Sequence, residues 1–127
     1  LTSTQLAERL AKLAWEKKGQ NIEVLDVRGL TDVTDYYLVV SGESELHVKA
    51  ITDFLQDQVS KNGEARLWHK EGYQKLNWVV LDYIDVVVHI FQQQKREFYA
   101  LEKLWGDARI IRLEEDVPDK FVLEEQN

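Results

Sequence analysis

The stretch Trp78-Val79-Val80-Leu81-Asp82-Tyr83-Ile84-Asp85-Val86-Val87-Val88-His89-Ile90-Phe91 decides how this chain folds. It contains two apolar, β-branched runs with almost no linker between them, which reads as a hairpin of two strands. With Tyr83 and Ile84 as a two-residue loop, Asp82 would face Asp85, Val80 would face Val87 and Trp78 would face His89. One face then carries Trp78, Val80, Asp82, Asp85, Val87 and His89, while the other carries Val79, Leu81, Val86, Val88 and Ile90. The second set is wholly aliphatic and belongs under helices. The first mixes an indole, two carboxylates and an imidazole, which suits a binding face. Its candidate contact residues are Trp78, Asp82, Tyr83, Asp85 and His89, with Tyr83 at the tip. The plainer alternative is that a loop covers Trp78 and the two aspartates only stabilise the turn. Ile84 resists the positive φ that such turns ask for, and a slip of one residue would exchange the two faces.

Working outward, the N-terminal side gives a helix and two strands. Ser3 can cap a helix along which Leu6, Leu10 and Leu13 recur with helical spacing, ended by Lys17-Lys18-Gly19. Ile22 to Val27 alternates as a strand, and Gly29 to Asp35 is a connection rich in turn formers. Tyr36 to Val40 is a second strand. Ser41-Gly42-Glu43-Ser44 leads into a helix buried through Val48, Ile51, Leu55 and Val59. Ala65 to Trp68 reads as a third strand and His69 to Lys75 as a polar loop. Beyond the hairpin, Gln93 to Trp105 reads as a third helix and Arg109 to Leu113 as a last strand. The expected architecture is α/β of the α+β kind, a mixed sheet with helices packed mainly on one face. Val86, Val87 and Val88 are apolar on both parities, which marks an interior strand.

With 127 residues the chain is the size of one domain, and it contains no repeat and no cysteine. Its net charge is −7. Six of the acids and only Lys120 among the bases fall in residues 113–127, so that segment carries −5 and the first 112 residues −2. Residues 1–112 therefore read as a nearly neutral domain and residues 113–127 as an acidic tail. This balance excludes a basic nucleic-acid clamp. No apolar run approaches the ~20 residues of a membrane span, and a cytoplasmic setting is expected, or an organellar one in a eukaryote.

Catalytic patterns are missing. No Asp-x-Asp falls on a strand, as metal-dependent nucleotidyl transfer would need. Asp32 and Asp35 lie in a connection and read as turn and cap residues. There is no P-loop and no Gly-x-Ser-x-Gly. The amides of Ser41 to Ser44 could hold an anion at a helix start, but Glu43 and Glu45 oppose it. His47, His69 and His89 have no ligand spacing. No metal, cofactor or enzymatic activity is expected.

Three segments are similar to the ribosomal silencing factor (RsfS, Iojap) family. They are Asp35 to Ser44, the hairpin Trp78 to Phe91, and Arg96-Glu97-Phe98-Tyr99-Ala100-Leu101-Glu102-Lys103-Leu104-Trp105-Gly106-Asp107-Ala108. Glu71-Gly72 is also family-like. The resemblance implies a minimal nucleotidyltransferase-like fold without that superfamily's catalytic carboxylates. It implies binding to ribosomal protein fourteen of the large subunit, little direct contact with nucleic acid, and steric blocking of the small subunit. Organellar relatives imply the alternative of large-subunit assembly. A residual nucleotide-binding or nucleotidyltransferase activity is the rival from another class. Exposed strand edges would suit a homodimer. Two departures stand out: Ile84 replaces the family's Gly, and Leu46-His47-Val48 replaces Arg-Gln-Val.

Overall fold

The computed structural model describes residues 1–99 and 106–112. The elements run α1 (Ser3–Glu16), β1 (Gln20–Asp26), β2 (Tyr36–Gly42), α2 (Glu45–Lys61), β3 (His69–Glu71), β4 (Trp78–Asp82), β5 (Val86–Gln92), α3 (Gln93–Tyr99) and β6 (Arg109–Arg112). The strands form one six-stranded sheet in the order β3-β4-β5-β2-β1-β6. Only β2 and β5 run parallel; every other neighbouring pair is antiparallel. The fold is α+β with a mixed sheet, as the strand and helix patterns predict. The acidic segment 113–127 and the expected helical residues 100–105 lie outside the described residues.

Helix α1 starts one residue earlier than expected. Thr2, not Ser3, is the cap: its side chain accepts from Gln5 N–H at 3.1 Å, and the Gln5 side chain accepts from Thr2 N–H at 3.0 Å. This reciprocal pair satisfies two otherwise orphaned donors. Leu6, Leu10 and Leu13 of α1 and Val48, Ile51, Leu55 and Val59 of α2 bury against Val24, Leu38, Val40, Val79, Leu81, Val88 and Ile90 of the sheet. At the end of α1, a Cβ on Gly19 would lie 2.7 Å from a Val40 methyl, so glycine there permits helix and sheet to approach closely.

The third strand corrects the sequence reading. It is His69–Glu71, which was expected to be loop, and it pairs with Val80 to Asp82. Ala65 and Leu67, expected in a strand, instead pack against the core from irregular backbone. An edge strand with little of its surface covered has no need of apolar alternation, so pattern reading passes over it. The sheet's two edges, β3 and β6, are only three and four residues long.

The hairpin register is also corrected. Asp82 faces Val87, Val80 faces His89 and Trp78 faces Phe91. Tyr83 N–H donates to the Val86 carbonyl at 2.9 Å, so the loop residues are Ile84 and Asp85. Moving the loop by one residue moves the pairing by two, and the faces are kept. Ile84 lies at φ +75°, in a tight turn closed by Asp85 N–H donating to the Tyr83 carbonyl at 2.9 Å.

Helix α3 is tied down by a buried charge network. Arg96 donates to Glu23 Oε1 at 2.6 Å, to Ser41 Oγ at 2.8 Å and to the Asn21 carbonyl at 2.6 Å. Arg112 donates to the other Glu23 oxygen at 2.6 Å. One carboxylate thus links α3, β1 and β6. Arg96→Met would strand a buried carbonyl and half of a buried ion pair, with an expected loss of about 2–4 kcal/mol in urea unfolding. Ile84→Gly should act the other way. Relief of about 1–2 kcal/mol of left-handed strain exceeds the ~0.5–1 kcal/mol that glycine returns to the unfolded chain. Its urea midpoint should rise, and an unchanged or lower midpoint would refute the strain.

Candidate functional site: the hairpin face and the strand ends

The sheet face away from α1 and α2 carries Trp78, Val80 and Asp82 from β4, Val87, His89 and Phe91 from β5, and Tyr37 and Val39 from β2. The pairing puts Trp78 directly opposite Phe91 and diagonal to His89. The indole stacks on Phe91 with centroids 5.1 Å apart, and its Nε1–H donates to His89 Nδ1 at 2.8 Å. Tyr37 meets the His89 ring at 5.5 Å from the neighbouring parallel strand.

This face is not the open binding surface that the sequence suggested. Phe91, Val39, Leu25 and Val27 are fully buried in a second apolar cluster, and His89 is 7% exposed. Since His89 Nδ1 accepts from Trp78, the ring is neutral with its proton on Nε2, and that nitrogen has no partner. Burial pushes its pKa down to about 4. His89 is therefore a buried packing residue and cannot meet a partner directly. Trp78, half-buried, is partly committed to the same stack.

Tyr83 was expected at the tip and is also displaced. It packs into the α1–α2 core at 5% exposure, and burial pushes its pKa up to about 12. Its hydroxyl has no partner, and the residue lines a cleft of about 640 Å³ beside Gln56, Ser60, Arg66 and Leu67. The exposed tip residues are Ile84 and Asp85. Asp82 and Asp85 are not opposed across the strands. Asp82 stabilises the turn, accepting from Ile84 N–H at 2.7 Å. The Asp85 carboxylate is free in solvent, while its carbonyl accepts from Asp35 and Tyr36 N–H at 3.1 and 3.2 Å.

Those two bonds draw the loop before β2 against the hairpin. Asp32, Asp35, Asp82 and Asp85 thereby share one end of the sheet. None of the four makes an ion pair among the described residues, and Arg28, which feels Asp35, is held by Asp26 in two bonds at 2.8 and 3.0 Å. Sequence reasoning assigned Asp32 and Asp35 to the turn alone. Their convergence with the hairpin depends on the non-local β2–β5 pairing.

The other candidate sites do not assemble. At the start of α2, Glu43 N–H donates to His47 Nδ1 at 2.9 Å, and the ring's other nitrogen meets the Lys17 carbonyl at 2.8 Å. Ser44 caps the helix, accepting from His47 N–H. His47 thus occupies an amide that an anion would use. His69 pairs instead with Glu71 at 2.8 Å. Among the described residues no group of three metal-ligating side chains exists, and no helix is long and apolar enough to cross a membrane.

The geometry is that of a small α+β domain with several carboxylates, none in an ion pair among the described residues, near one end of its sheet. Solved structures share the fold: a crystal structure of a Chromobacterium violaceum protein superposes with a TM-score of 0.75 at 35% identity, covering 81% of this chain and 86% of that one. The family described as "Ribosomal silencing factor during starvation" (RsfS) matches residues 1–127, and the chain belongs to it. Ribosomal silencing factor RsfS of Bacillus subtilis is 40% identical over 99 residues, 78% of this chain and 83% of the relative. A mouse protein named "Mitochondrial assembly of ribosomal large subunit protein 1" is 28% identical over 124 residues, 91% of this chain and 54% of that relative.

The buried histidine sets an acid limit on stability. Its folded pKa of about 4 lies below the ordinary 6.5, so the unfolded chain binds the proton first on acidification. Stability from neutral His89 is complete above pH 6.5 and falls as pH drops toward 4, by about 2–3 kcal/mol in all. Between pH 7 and pH 4.5, wild type should lose about 2 kcal/mol more in urea unfolding than His89→Gln. Equal losses would place the proton elsewhere.

Proposed function

We propose that this chain is a non-enzymatic repressor of translation that docks on ribosomal protein fourteen of the large subunit and stands where the small subunit must join. Family membership over the whole chain supports a ribosomal role. The observation that carries the docking reading is the set of carboxylates at one sheet end, none of which makes an ion pair among the described residues. Unpaired surface carboxylates repel RNA phosphates and attract a basic protein, and such complementarity selects the partner. Asp85 is the best contact of the predicted set, because its side chain is exposed and does no structural work. Asp82 and Trp78 serve behind it, one holding the turn and the other the strand face. A protein on a ribosomal subunit would act in the cytoplasm of a bacterium or the matching compartment of an organelle.

A second reading is assistance in large-subunit assembly, which the name of the mouse relative favours. The same docking end would serve it.

Co-sedimentation with isolated large and small subunits on sucrose gradients tests the first reading. The chain should travel with the large subunit alone and reduce the joined-particle peak. Asp85→Lys should weaken retention about tenfold or more. Binding to both subunits alike, or to neither, would end it. Unimpaired joining together with altered pre-subunit profiles in depleted cells would favour assembly.

A further inference from the structure

At the acidic end of the sheet two large apolar side chains stand in solvent on neighbouring strand ends. Trp68 is 68% exposed and Ile84 55%. Trp68 N–H donates to the Asp82 carbonyl at 2.9 Å, continuing the β3–β4 pairing so that Trp68 lies across from Tyr83. Ile84 is the next residue along, which places the two backbones within about 10 Å. Ala65 and Leu67 in the preceding segment pack inward, while Trp68 is left out.

A lone exposed apolar side chain needs no explanation, but this pair differs in one respect. Ile84 is β-branched and held at φ +75°, where glycine would sit without strain. A glycine at this position would bury Tyr83 equally well, so nothing inside the molecule accounts for the exposed isoleucine side chain itself. Val33, 70% exposed, stands on the loop that the Asp85 carbonyl draws in. Asp82 and Asp85 flank Ile84, and Asp35 stands beyond them at the start of β2, while beside Trp68 are the exposed Arg66 and His69, whose ring meets the indole at 5.8 Å.

An apolar pair with Asp82 and Asp85 on either side of Ile84 narrows the occupant. RNA and anionic lipid are repelled by these carboxylates. A second copy packed on the same patch would set carboxylates against carboxylates. A basic protein surface with an apolar recess satisfies both parts. We propose that Trp68 and Ile84 are the apolar anchor with which this end of the sheet grips a basic protein of the large ribosomal subunit. The proposal rests on the docking reading above and adds its central contact.

The test measures Kd for isolated large subunits by pelleting at fixed ionic strength. It compares wild type, Trp68→Ser, Ile84→Gly, Asp85→Lys and, as a control, Leu46→Ser, which removes another exposed apolar side chain at the start of α2. Trp68→Ser and Ile84→Gly should each weaken binding about tenfold or more, and Leu46→Ser should not. Ile84→Gly is decisive because it should fold more stably and yet bind more weakly. Wild-type affinity in both anchor variants, with Asp85→Lys impaired, would overturn the anchor and leave the docking reading standing. No binding by wild type, or equal binding to protein-free large-subunit RNA, would overturn both. Loss of a dimer in sedimentation equilibrium, with subunit binding intact, would assign the patch to a second copy and overturn the proposal.

Discussion

The parallel pairing of β2 with β5 is the constraint on which the rest depends. Seven residues pair, from Tyr36 with Val86 to Gly42 with Gln92, and both strands are buried almost throughout. A strand in this position has no solvent face, so both of its sides must be covered. The α1 and α2 stripes cover one. The aromatic and aliphatic cluster around Phe91 and Val39 fills the other. Parallel strands also need a long crossover, here α2, β3 and β4, so the central contact is non-local and its closure entropy must be overcome by burial.

That same pairing builds the acidic end. By fixing where β5 begins, it sets the Asp85 carbonyl opposite two amides from the other strand's approach. A loop and a hairpin tip far apart in sequence are thereby brought together. The tip shows how competing terms are settled. Placing Tyr83 in the turn would expose a large aromatic, whereas placing Ile84 there strains a β-branched residue. Burying an aromatic side chain gives roughly 2–3 kcal/mol, more than the ~1–2 kcal/mol of left-handed strain. The ring therefore goes inward, and Ile84 takes the strained position.

Much of the fold was legible in sequence because its long elements have clear periods. The stripes of α1 and α2, the strands β1, β2, β4 and β5, and the interior character of Val86 to Val88 all follow from such patterns. The edge strand His69–Glu71 was not legible, since a polar edge bears no apolar alternation. The candidate site was legible only in part. Asp85 kept its exposed place, but Tyr83 and His89 are buried, and Trp78 is engaged in stacking. Ile84 could have been found from its clash with turn geometry, which the sequence already displays. Trp68 could not, because nothing local distinguishes an outward tryptophan from its inward neighbours.

Residue alternation alone assigns most hairpin residues to their faces. Alternation has a period of two, so shifting the loop by one residue changed every partner but moved only Asp85 off its face, into the turn. The sequence also determined where acidity is concentrated, since charge is counted without coordinates. Whether a face is wet depends on the assembled fold. Covering His89 and Phe91 requires elements distant in the chain, and burial is a property of what lies opposite rather than of the strand. The fold alone also brought Asp35 beside Asp85, because that meeting is made by backbone hydrogen bonds across a parallel pair that no local pattern encodes.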